Sequence, residues 1–199
     1  MMHPITGLVL AGGMGRRMDS RDKGLVDFRG RPMVAHVIDR LRPQVETLII
    51  NANRNRDAYA AFGYPVIADR LEGFAGPLAG LHAGLLAATT PWVVSAPCDT
   101  PFLPDDLVAR LAAAIESTGA EIASVRTETQ THPVFALVAC HLAPALSAFL
   151  HAGGRKIDLW FAQQRTVEVA FPDEAAFANI NTPEDLTRHA SPAAPPGLC

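Results

Sequence analysis

The stretch that decides the fold is Ile5-Thr-Gly-Leu-Val-Leu10, which runs directly into Ala11-Gly-Gly-Met-Gly-Arg-Arg-Met-Asp-Ser-Arg-Asp-Lys23-Gly24. Its first part is a short apolar run and predicts a buried strand, and the glycine cluster after it predicts a tight turn. In open α/β sheets, ligands bind at such turns, beyond the carboxyl ends of the strands. The segment therefore predicts an α/β protein whose binding site begins at this turn.

Outward from this segment, the chain alternates between strand-like and helix-like patterns. Short runs rich in Val and Ile predict strands over residues 5–10, 47–51, 66–68 and 92–95. Apolar and Ala/Leu-rich segments of helical length predict helices over residues 32–41, 77–88 and 104–116. This alternation is typical of parallel strands that are joined by helical crossovers.

The second half of the chain changes character. Strands are predicted over residues 121–125, 133–139 and 167–171, with shorter or absent helices between some of them, which favours a mixed sheet with an antiparallel edge. A short helix is predicted over residues 183–188, with Thr182 as its N-cap. We expect a single domain over residues 1–189 and a disordered, proline-rich tail over residues 190–199.

The composition excludes several classes of protein. The 199 residues are 49% hydrophobic and 19% charged, which supplies a core and excludes global disorder. The formal net charge of -3 leaves no overall basic excess, so nucleic acid is not an expected partner. The three cysteines form no CxxC pair, and no run of 18 apolar residues occurs. We therefore expect no disulfide framework, no zinc site and no membrane span, and a reducing cytoplasm as the location.

The glycine-rich turn carries a local excess of positive charge. Glycines lack Cβ atoms, so their backbone N–H groups can approach a phosphate chain closely, and the turn has three, at Gly12, Gly13 and Gly15. Four cations and two carboxylates accompany them: Arg16, Arg17, Arg21 and Lys23, with Asp19 and Asp22. This combination favours a polyphosphate ligand, although a tight turn with solvated arginines is the alternative.

Two common phosphate loops do not match this turn. The Walker A pattern requires Gly-Lys-Ser/Thr, but Lys23 lies between Asp22 and Gly24. The dinucleotide fingerprint requires a third glycine where this chain has Met18. Neither an ATPase of the Walker type nor a dehydrogenase is therefore favoured.

A carboxylate follows a run that is apolar enough to be a central strand. Asp99 lies just after Pro91-Trp-Val-Val-Ser-Ala-Pro-Cys98, so it should reach the same sheet edge as the glycine-rich turn. Because Mg²⁺ takes only one or two protein carboxylates beside substrate phosphates, Asp99 is a candidate metal ligand. The alternative is that Asp99 caps a turn or the next helix.

Three further residues are candidates at this edge, each with a simpler alternative. Asn51 ends a strand and could bind a base or ribose, or form an Asx turn. Asp69 is a second carboxylate, or a turn residue. Gly80 could let the backbone approach a base, or serve helix packing alone. Cys98 is interpreted as a buried apolar residue, because no base can be assigned beside it.

Taken together, these motifs resemble those of bacterial molybdenum cofactor guanylyltransferases. The resemblance runs in order from residue 5 to about residue 186 and rests on six short motifs: Leu-Ala-Gly-Gly with Arg-Arg-Met, Asp22-Lys23-Gly24, Asn51-Ala-Asn, Gly76-Pro-Leu-Ala-Gly80, Pro97-Cys-Asp99-Thr-Pro and Asn179-Ile-Asn181-Thr-Pro. It implies a Rossmann-like, three-layer nucleotidyltransferase fold. It also implies that the terminal phosphate of molybdenum-molybdopterin attacks the α-phosphate of GTP and releases pyrophosphate.

The resemblance also implies roles for individual residues. Leu10, Ala11 and Gly12 would line the guanine nucleotide site, Lys23 would contact its phosphates, Asn51 and Asp69 would contact the nucleoside, and Asp99 would hold Mg²⁺. Residues 1–100 would mainly bind the nucleotide and residues 101–189 the molybdopterin, through Arg155, Lys156, Asn179 and Asn181. A molybdenum-insertion protein or a molybdoenzyme chaperone would receive the product. The expected catalytic groups are Asp99, Lys23 and also Arg17 of the glycine-rich turn.

Three other functions remain open at this point. A molybdopterin cytidylyltransferase would typically have Thr-Ala-Ala-Gly in the first loop, where this chain has Leu10-Ala-Gly-Gly13. Sugar-phosphate nucleotidyltransferases share the glycine loop and a trailing lysine, but usually have longer chains. A nucleotide-binding regulator without chemistry is the third alternative, and the candidate metal ligand beside a basic loop disfavours it.

Overall fold

The computed structural model describes residues 3–11, 22–71, 76–180 and 182–190, without the side chains of residues 183 and 188–190. Its strands are β1 Ile5–Leu10, β2 Asp27–Phe28, β3 Arg31–Pro32, β4 Thr47–Asn51, β5 Val66–Ile67, β6 Trp92–Pro97, β7 Ile122–Arg126, β8 Thr131–Ala139 and β9 Thr166–Ala170. Its α-helices are α1 Met33–Leu41, α2 Arg56–Ala60, α3 Pro77–Ala87, α4 Leu107–Thr118, α5 Ala143–His151, α6 Ile157–Phe161 and α7 Pro183–Ala190.

Seven strands form one mixed sheet, in the order β5-β4-β1-β6-β8-β7-β9, and β2 and β3 form a separate small hairpin. Strand β8 is antiparallel to both of its neighbours, β6 and β7, and the other pairings are parallel. The mixed sheet is therefore confirmed, but the antiparallel strand lies inside the sheet and not at its edge. The reason is the hairpin between β7 and β8, which places β8 in the gap between β6 and β7 and leaves the edge to the parallel strand β9.

Helices cover both faces of this sheet and complete three layers. On one face, α1 and α4 pack their apolar sides on the central strands, through Val37, Leu41, Leu107 and Leu111. On the other face, α3, α5 and α6 bury Leu78, Leu81, Leu146 and Trp160. A sheet covered on both sides needs strands that are apolar on both faces, and β1 meets this need with five buried residues out of six. The predicted three-layer α/β fold is confirmed.

The predicted bounds agree best where an apolar run is sharply delimited. Strands β1 and β4 have the predicted ends, whereas α4 begins three residues later than predicted, at Leu107, because a turn precedes it. The structure adds the β2–β3 hairpin and the helices α2, α5 and α6, none of which was predicted. Within the described residues, no helix is long and apolar enough to cross a membrane.

The N-terminus of α7 has the predicted cap. The Asp185 N–H donates to Thr182 Oγ1 at 3.1 Å, and the Thr182 N–H donates to Asp185 Oδ2 at 3.0 Å, which is a reciprocal capping box. The helix extends to residue 190, two residues beyond the predicted end. The predicted disordered tail lies outside the described residues from 191 onward.

Candidate active site

Three neighbouring strands end side by side and form the edge at which the candidate residues meet. In the register of the sheet, Leu10 on β1 lies beside Asn51 on β4 and Pro97 on β6. Backbone bonds continue this alignment past the strand ends, since the Ala11 N–H donates to the Asn51 carbonyl at 2.8 Å and the Cys98 N–H to the Leu10 carbonyl at 3.0 Å. Leu10, Asn51 and Asp99 therefore converge on one edge, as predicted from the parallel strands.

Lys23 and Asp99, which are distant in the sequence, form an ion pair at this edge. The Nζ atom of Lys23 lies 3.3 Å from Oδ2 of Asp99, and the two side chains are 25% and 9% exposed. The Asp99 carbonyl accepts a bond from the Ile180 N–H at 2.9 Å, which ties the second half of the chain to the same point. The next helix has Asp106 and not Asp99 at its N-cap. The pair therefore places a cation beside a largely buried carboxylate.

Asn51 and Asp69 form a second polar cluster on the same edge. The Nδ2 group of Asn51 donates to Asp69 Oδ1 at 2.9 Å, and that of Asn53 donates to Asp69 Oδ2 at 2.8 Å. The Asp69 N–H returns a bond to Asn53 Oδ1 at 2.9 Å. Because both carboxylate oxygens are held by amides, Asp69 has a defined orientation beside the buried Asn51. Asn53 was not predicted to belong to the site.

Gly80 lies in the first half of α3, directly against these residues. A Cβ atom at this position would overlap Asn51 Oδ1 and would come 2.7 Å from Leu10 Cδ2. Only a residue without a side chain allows α3 to approach the strand ends this closely. The packing of Gly80 is therefore observed, and its predicted contact with a base stays a prediction.

The glycine-rich turn itself lies outside the described residues, which include its two ends. Gly12, Gly13, Gly15 and Arg17 belong to the segment 12–21, so their predicted roles stay predictions. Ala11 enters the turn from β1, and Asp22 leaves it one residue before Lys23. The Asp22 carboxylate accepts hydrogen bonds from the Tyr59 hydroxyl and from Asn55 Nδ2, both on or next to α2.

Cys98 precedes Asp99 and is buried between these groups. Burial raises the pKa of its thiol far above the ordinary range, and the neighbouring Asp99 and Asp22 carboxylates raise it further. A thiol that stays protonated is a poor nucleophile. The interpretation of Cys98 as a buried apolar residue is confirmed.

The candidate residues of the second half are placed differently. Arg155 donates to the carbonyls of Leu150 at 3.1 Å and Gly154 at 2.7 Å, and so closes the end of α5. Lys156 is exposed and stands at the N-cap of α6. Asn179 is exposed and precedes Ile180, whose N–H contacts the Asp99 carbonyl; Asn181 lies outside the described residues. Of the described residues in this group, Asn179 is tied to the strand edge through its neighbour Ile180.

Comparison with known proteins identifies the family. Residues 7–167 match the model of the MobA-like NTP transferase domain. The chain belongs to this family. It is 55% identical to the molybdenum cofactor guanylyltransferase of Cupriavidus taiwanensis over 190 residues, which are 93% of this chain and 96% of that protein. It is 52% identical to the protein of the same name from Ralstonia nicotianae over 191 residues, covering 92% and 94% of the two chains.

A solved structure agrees with this membership. Molybdopterin-guanine dinucleotide biosynthesis protein A from Archaeoglobus fulgidus superposes with a TM-score of 0.77 at 26% identity, covering 93% of this chain and 96% of that chain. Membership places the chain among the nucleotidyltransferases, which agrees with a basic turn beside a carboxylate at the carboxyl edge of a mostly parallel sheet. The resemblance inferred from the short motifs is confirmed.

Few side chains at this edge could bind a metal ion. Among the described residues, no three His, Cys, Asp or Glu side chains gather into a metal-binding cluster. The candidate ligand at the edge is the carboxylate of Asp99, which faces the ammonium group of Lys23. Oxygen donors that are few in number suit Mg²⁺, which keeps water and substrate phosphate oxygens in its shell.

Proposed function

We propose that this protein transfers GMP from GTP to the terminal phosphate of molybdenum-molybdopterin, forming molybdopterin guanine dinucleotide and releasing pyrophosphate. The observation that carries the proposal is the Lys23–Asp99 pair, at the strand edge where the glycine-rich turn begins and ends. The two relatives named above match more than nine-tenths of this chain, and both are named molybdenum cofactor guanylyltransferase. Their names support the choice of guanine and of the acceptor.

The nucleotide is bound across β1, β4 and β6. Lys23, Arg17 and the backbone of Gly12, Gly13 and Gly15 bind the triphosphate, because each offers positive charge or N–H donors. Leu10, Ala11, Asn51, Asp69 and Gly80 bind the nucleoside. The support for this part is the clustering of the polar side chains, in which Asp69 is oriented by two amides and Gly80 clears the space beside Asn51.

Asp99 holds Mg²⁺ in this proposal. Its carboxylate fits the ion because it is largely buried, anionic and already paired with a cation. A bound Mg²⁺ would offset the negative charge on the transferred phosphoryl group and on the leaving pyrophosphate. Lys23 would then move its ammonium group from Asp99 to the phosphates, which lie on the side of the glycine-rich turn.

The protein residues act by binding and orienting two polyanions. Attack by one phosphate on another needs no covalent enzyme intermediate, so the chain has to align the groups and stabilise developing charge. Lys23 and Arg17 supply fixed positive charge at the phosphates. Cys98, the nearest thiol, takes no part because burial keeps it protonated.

The acceptor is bound by the second half of the domain. Residues 1–100 mainly bind the nucleotide and residues 101–189 mainly bind molybdopterin, within one domain of residues 1–189. Asn179 and Asn181 also bind the acceptor in this proposal, and the support is the contact of the residue between them, Ile180, with the Asp99 carbonyl. Arg155 and Lys156 bind the acceptor phosphate, and a molybdenum-insertion protein or molybdoenzyme chaperone takes up the product in the cytoplasm.

Pyrophosphate release tests this function directly. The purified protein is given Mg²⁺ and molybdopterin together with either GTP or CTP. Pyrophosphate release is expected with GTP and not with CTP. Release with CTP would identify a cytidylyltransferase, and release only when a sugar phosphate replaces molybdopterin would identify a sugar-phosphate nucleotidyltransferase. Nucleotide binding without release in any combination would favour a regulator.

A further inference from the structure

The carboxylate of Asp22 accepts hydrogen bonds from distant residues and not from the turn that it precedes. Asp22 is the first described residue after the glycine-rich turn and the N-cap of the short 3-10 turn Lys23–Leu25. An aspartate at an N-cap ordinarily accepts bonds from the N–H groups that follow it. Here the side chain makes no such bond, and the turn is closed only by its ordinary backbone bond, from the Leu25 N–H to the Asp22 carbonyl at 3.0 Å. The carboxylate is directed away from its own turn.

Both oxygens of this carboxylate are held by groups from the region of α2. Asn55 Nδ2 donates to Oδ2 at 3.0 Å, and the Tyr59 hydroxyl donates to Oδ1. We call these three residues, Asp22, Asn55 and Tyr59, the Asp22 cluster. Asn55 and Tyr59 follow Asp22 by 33 and 37 residues in the chain, so the cluster joins the end of the glycine-rich turn to a separate element of the fold.

Tyr59 lies in the core with its hydroxyl group directed at Asp22. The whole residue is 0% exposed, and a Cβ atom at Gly24 would overlap its hydroxyl, so residue 24 packs directly on this group. The same Cβ would come 3.2 Å from Sγ of Cys98, the residue before Asp99. Burial, then the neighbouring Cys98 and Asp22, raise the pKa of the phenol above its ordinary range, so Tyr59 remains a hydrogen-bond donor.

Asn55 reaches Asp22 from the left-handed region of the backbone. Its φ is 51°, a conformation that asparagine adopts more readily than other non-glycine residues. It stands at the N-cap of α2, where its side chain makes no cap bond. Its amide group is therefore free of local bonds to α2 and donates to the Asp22 carboxylate instead.

We propose that Asn55 and Tyr59 are positioning residues, which hold Asp22 so that the next residue, Lys23, points at Asp99 and at the phosphates of the bound nucleotide. This inference rests on the proposed function, since it assumes that Lys23 binds phosphate. Holding the Asp22 side chain fixes the backbone from which Lys23 extends, so less backbone freedom is lost when Lys23 binds phosphate. The cluster therefore acts on the nucleotide only through Lys23.

The Tyr59→Phe variant tests the proposal, with Tyr64→Phe as its control. The first change removes one hydroxyl and keeps the ring, and the second does the same at the chain's other tyrosine, which packs partly buried against the same core. We expect Tyr59→Phe to weaken GTP binding about fivefold to tenfold by calorimetry and Tyr64→Phe to change it less than about twofold. Equal affinities for the wild type and Tyr59→Phe would overturn the role of the cluster.

A double-mutant cycle separates positioning from general stability. In a Lys23→Ala background, adding Tyr59→Phe should cause no further loss of GTP affinity, because the ammonium group that the cluster positions is already absent. Independent, additive losses would show that Tyr59 acts on the fold as a whole and would overturn the proposal. Thermal melting of all four proteins confirms that folded samples are compared.

Asn55→Gly provides a variant that should not lose stability. Glycine adopts the left-handed conformation without strain, so the change removes the amide bond to Asp22 and keeps the backbone. We expect about threefold weaker GTP binding with an unchanged or raised melting temperature. Wild-type GTP affinity in this variant would contradict the role of Asn55.

The failure of this inference can be told apart from the failure of the proposed function. The wild type is titrated first with GTP and then with CTP. A preference for CTP would overturn the guanine assignment, and the same variants would then be compared on CTP. An absence of binding for both nucleotides would reject the proposed function and the cluster together. Wild-type binding that none of these variants weakens would reject the cluster alone.

Discussion

The strand edge that carries Asp99 and the connection between α5 and α6 both contain charged residues that the sequence marks as candidates, but the two regions use them in different ways. At the strand edge, Asp99 is paired with Lys23, which lies 76 residues away in the chain. In the connection, the Arg155 guanidinium donates to the Leu150 and Gly154 carbonyls, five residues and one residue away. The first region is organised by long-range contacts and the second by local ones.

This difference indicates which residues are held ready before a ligand arrives. A side chain fixed by a distant partner keeps its position because the whole fold supports it, whereas one that closes its own helix end shares the mobility of that end. We therefore expect the strand edge around Asp99 to be preorganised and the connection between α5 and α6 to adjust on binding. The next four predictions test this contrast, from the largest expected effect to the smallest.

Asp99→Ala is expected to have the largest effect. Removing the carboxylate should lower metal-dependent turnover by at least about 10²-fold, because the charge that offsets the metal and orients Lys23 is lost. Pyrophosphate release at saturating Mg²⁺ measures this. The control is Asp105→Ala, whose side chain is 84% exposed and pairs with Arg40 outside the site. Near-normal turnover of Asp99→Ala would contradict the metal assignment.

The two lysines of the chain, Lys23 and Lys156, provide a direct test of the division between the halves. Lys23→Ala should weaken GTP binding about tenfold, since one charge-assisted contact to phosphate is lost. Lys156→Ala should leave GTP binding unchanged and raise the KM for molybdopterin severalfold. Calorimetry with GTP and steady-state kinetics with the acceptor separate the two. A loss of GTP affinity in Lys156→Ala would remove the contrast between the regions.

Gly80→Ala and Gly84→Ala compare a glycine at the site with one in the core. A methyl group at position 80 meets Asn51 and Leu10, and one at position 84 meets Leu8. Overpacking at either position costs about 1–3 kcal/mol of stability. Only Gly80→Ala should also raise the KM for GTP, by several-fold, because Asn51 has to move. Equal GTP kinetics in the two folded variants would show that Gly80 serves packing alone.

The smallest effect is expected from His82 on α3, the helix that contacts α5. Burial lowers the pKa of its imidazole, and electrostatic interactions with Arg70 and His151 lower it further. Its buried Nδ1 atom has no hydrogen-bond partner among the residues that the structure describes. The unfolded chain, with an ordinary pKa of about 6.5, then takes up protons first as the pH falls. Stability should therefore be complete above that pH and decline below it.

The His82→Leu variant checks this pH dependence. The melting temperature of the wild type should fall more between pH 7 and pH 5 than that of the variant, because the variant has no buried imidazole to keep neutral. His132, whose pKa burial also lowers, remains in both proteins and leaves a residual decline. Parallel declines in the two proteins would show that His82 does not contribute.

The parts of the fold and site that could be predicted share a simple basis. Strands β1 and β4 are short, mostly apolar runs, and parallel strands bring their carboxyl ends to one edge, so the meeting of Leu10, Asn51 and Asp99 followed from the pattern. The place of β8 inside the sheet did not follow, because strand order depends on which gap a hairpin fills. Asn53, Asn55 and Tyr59 were not predicted either, since an amide or phenol has no recognisable pattern until its partner is known.

The sequence by itself determined the class of the fold and the family, and it predicted both the edge for the site and a polyphosphate ligand. These depend on periodicity, glycine and charge, which are local properties of the chain. Only the tertiary structure decided that Lys23 pairs with Asp99, that Asp69 is oriented by two amides and that Asp22 is held by Tyr59. Each of these contacts joins residues at least 16 positions apart, and such contacts depend on how the elements pack together.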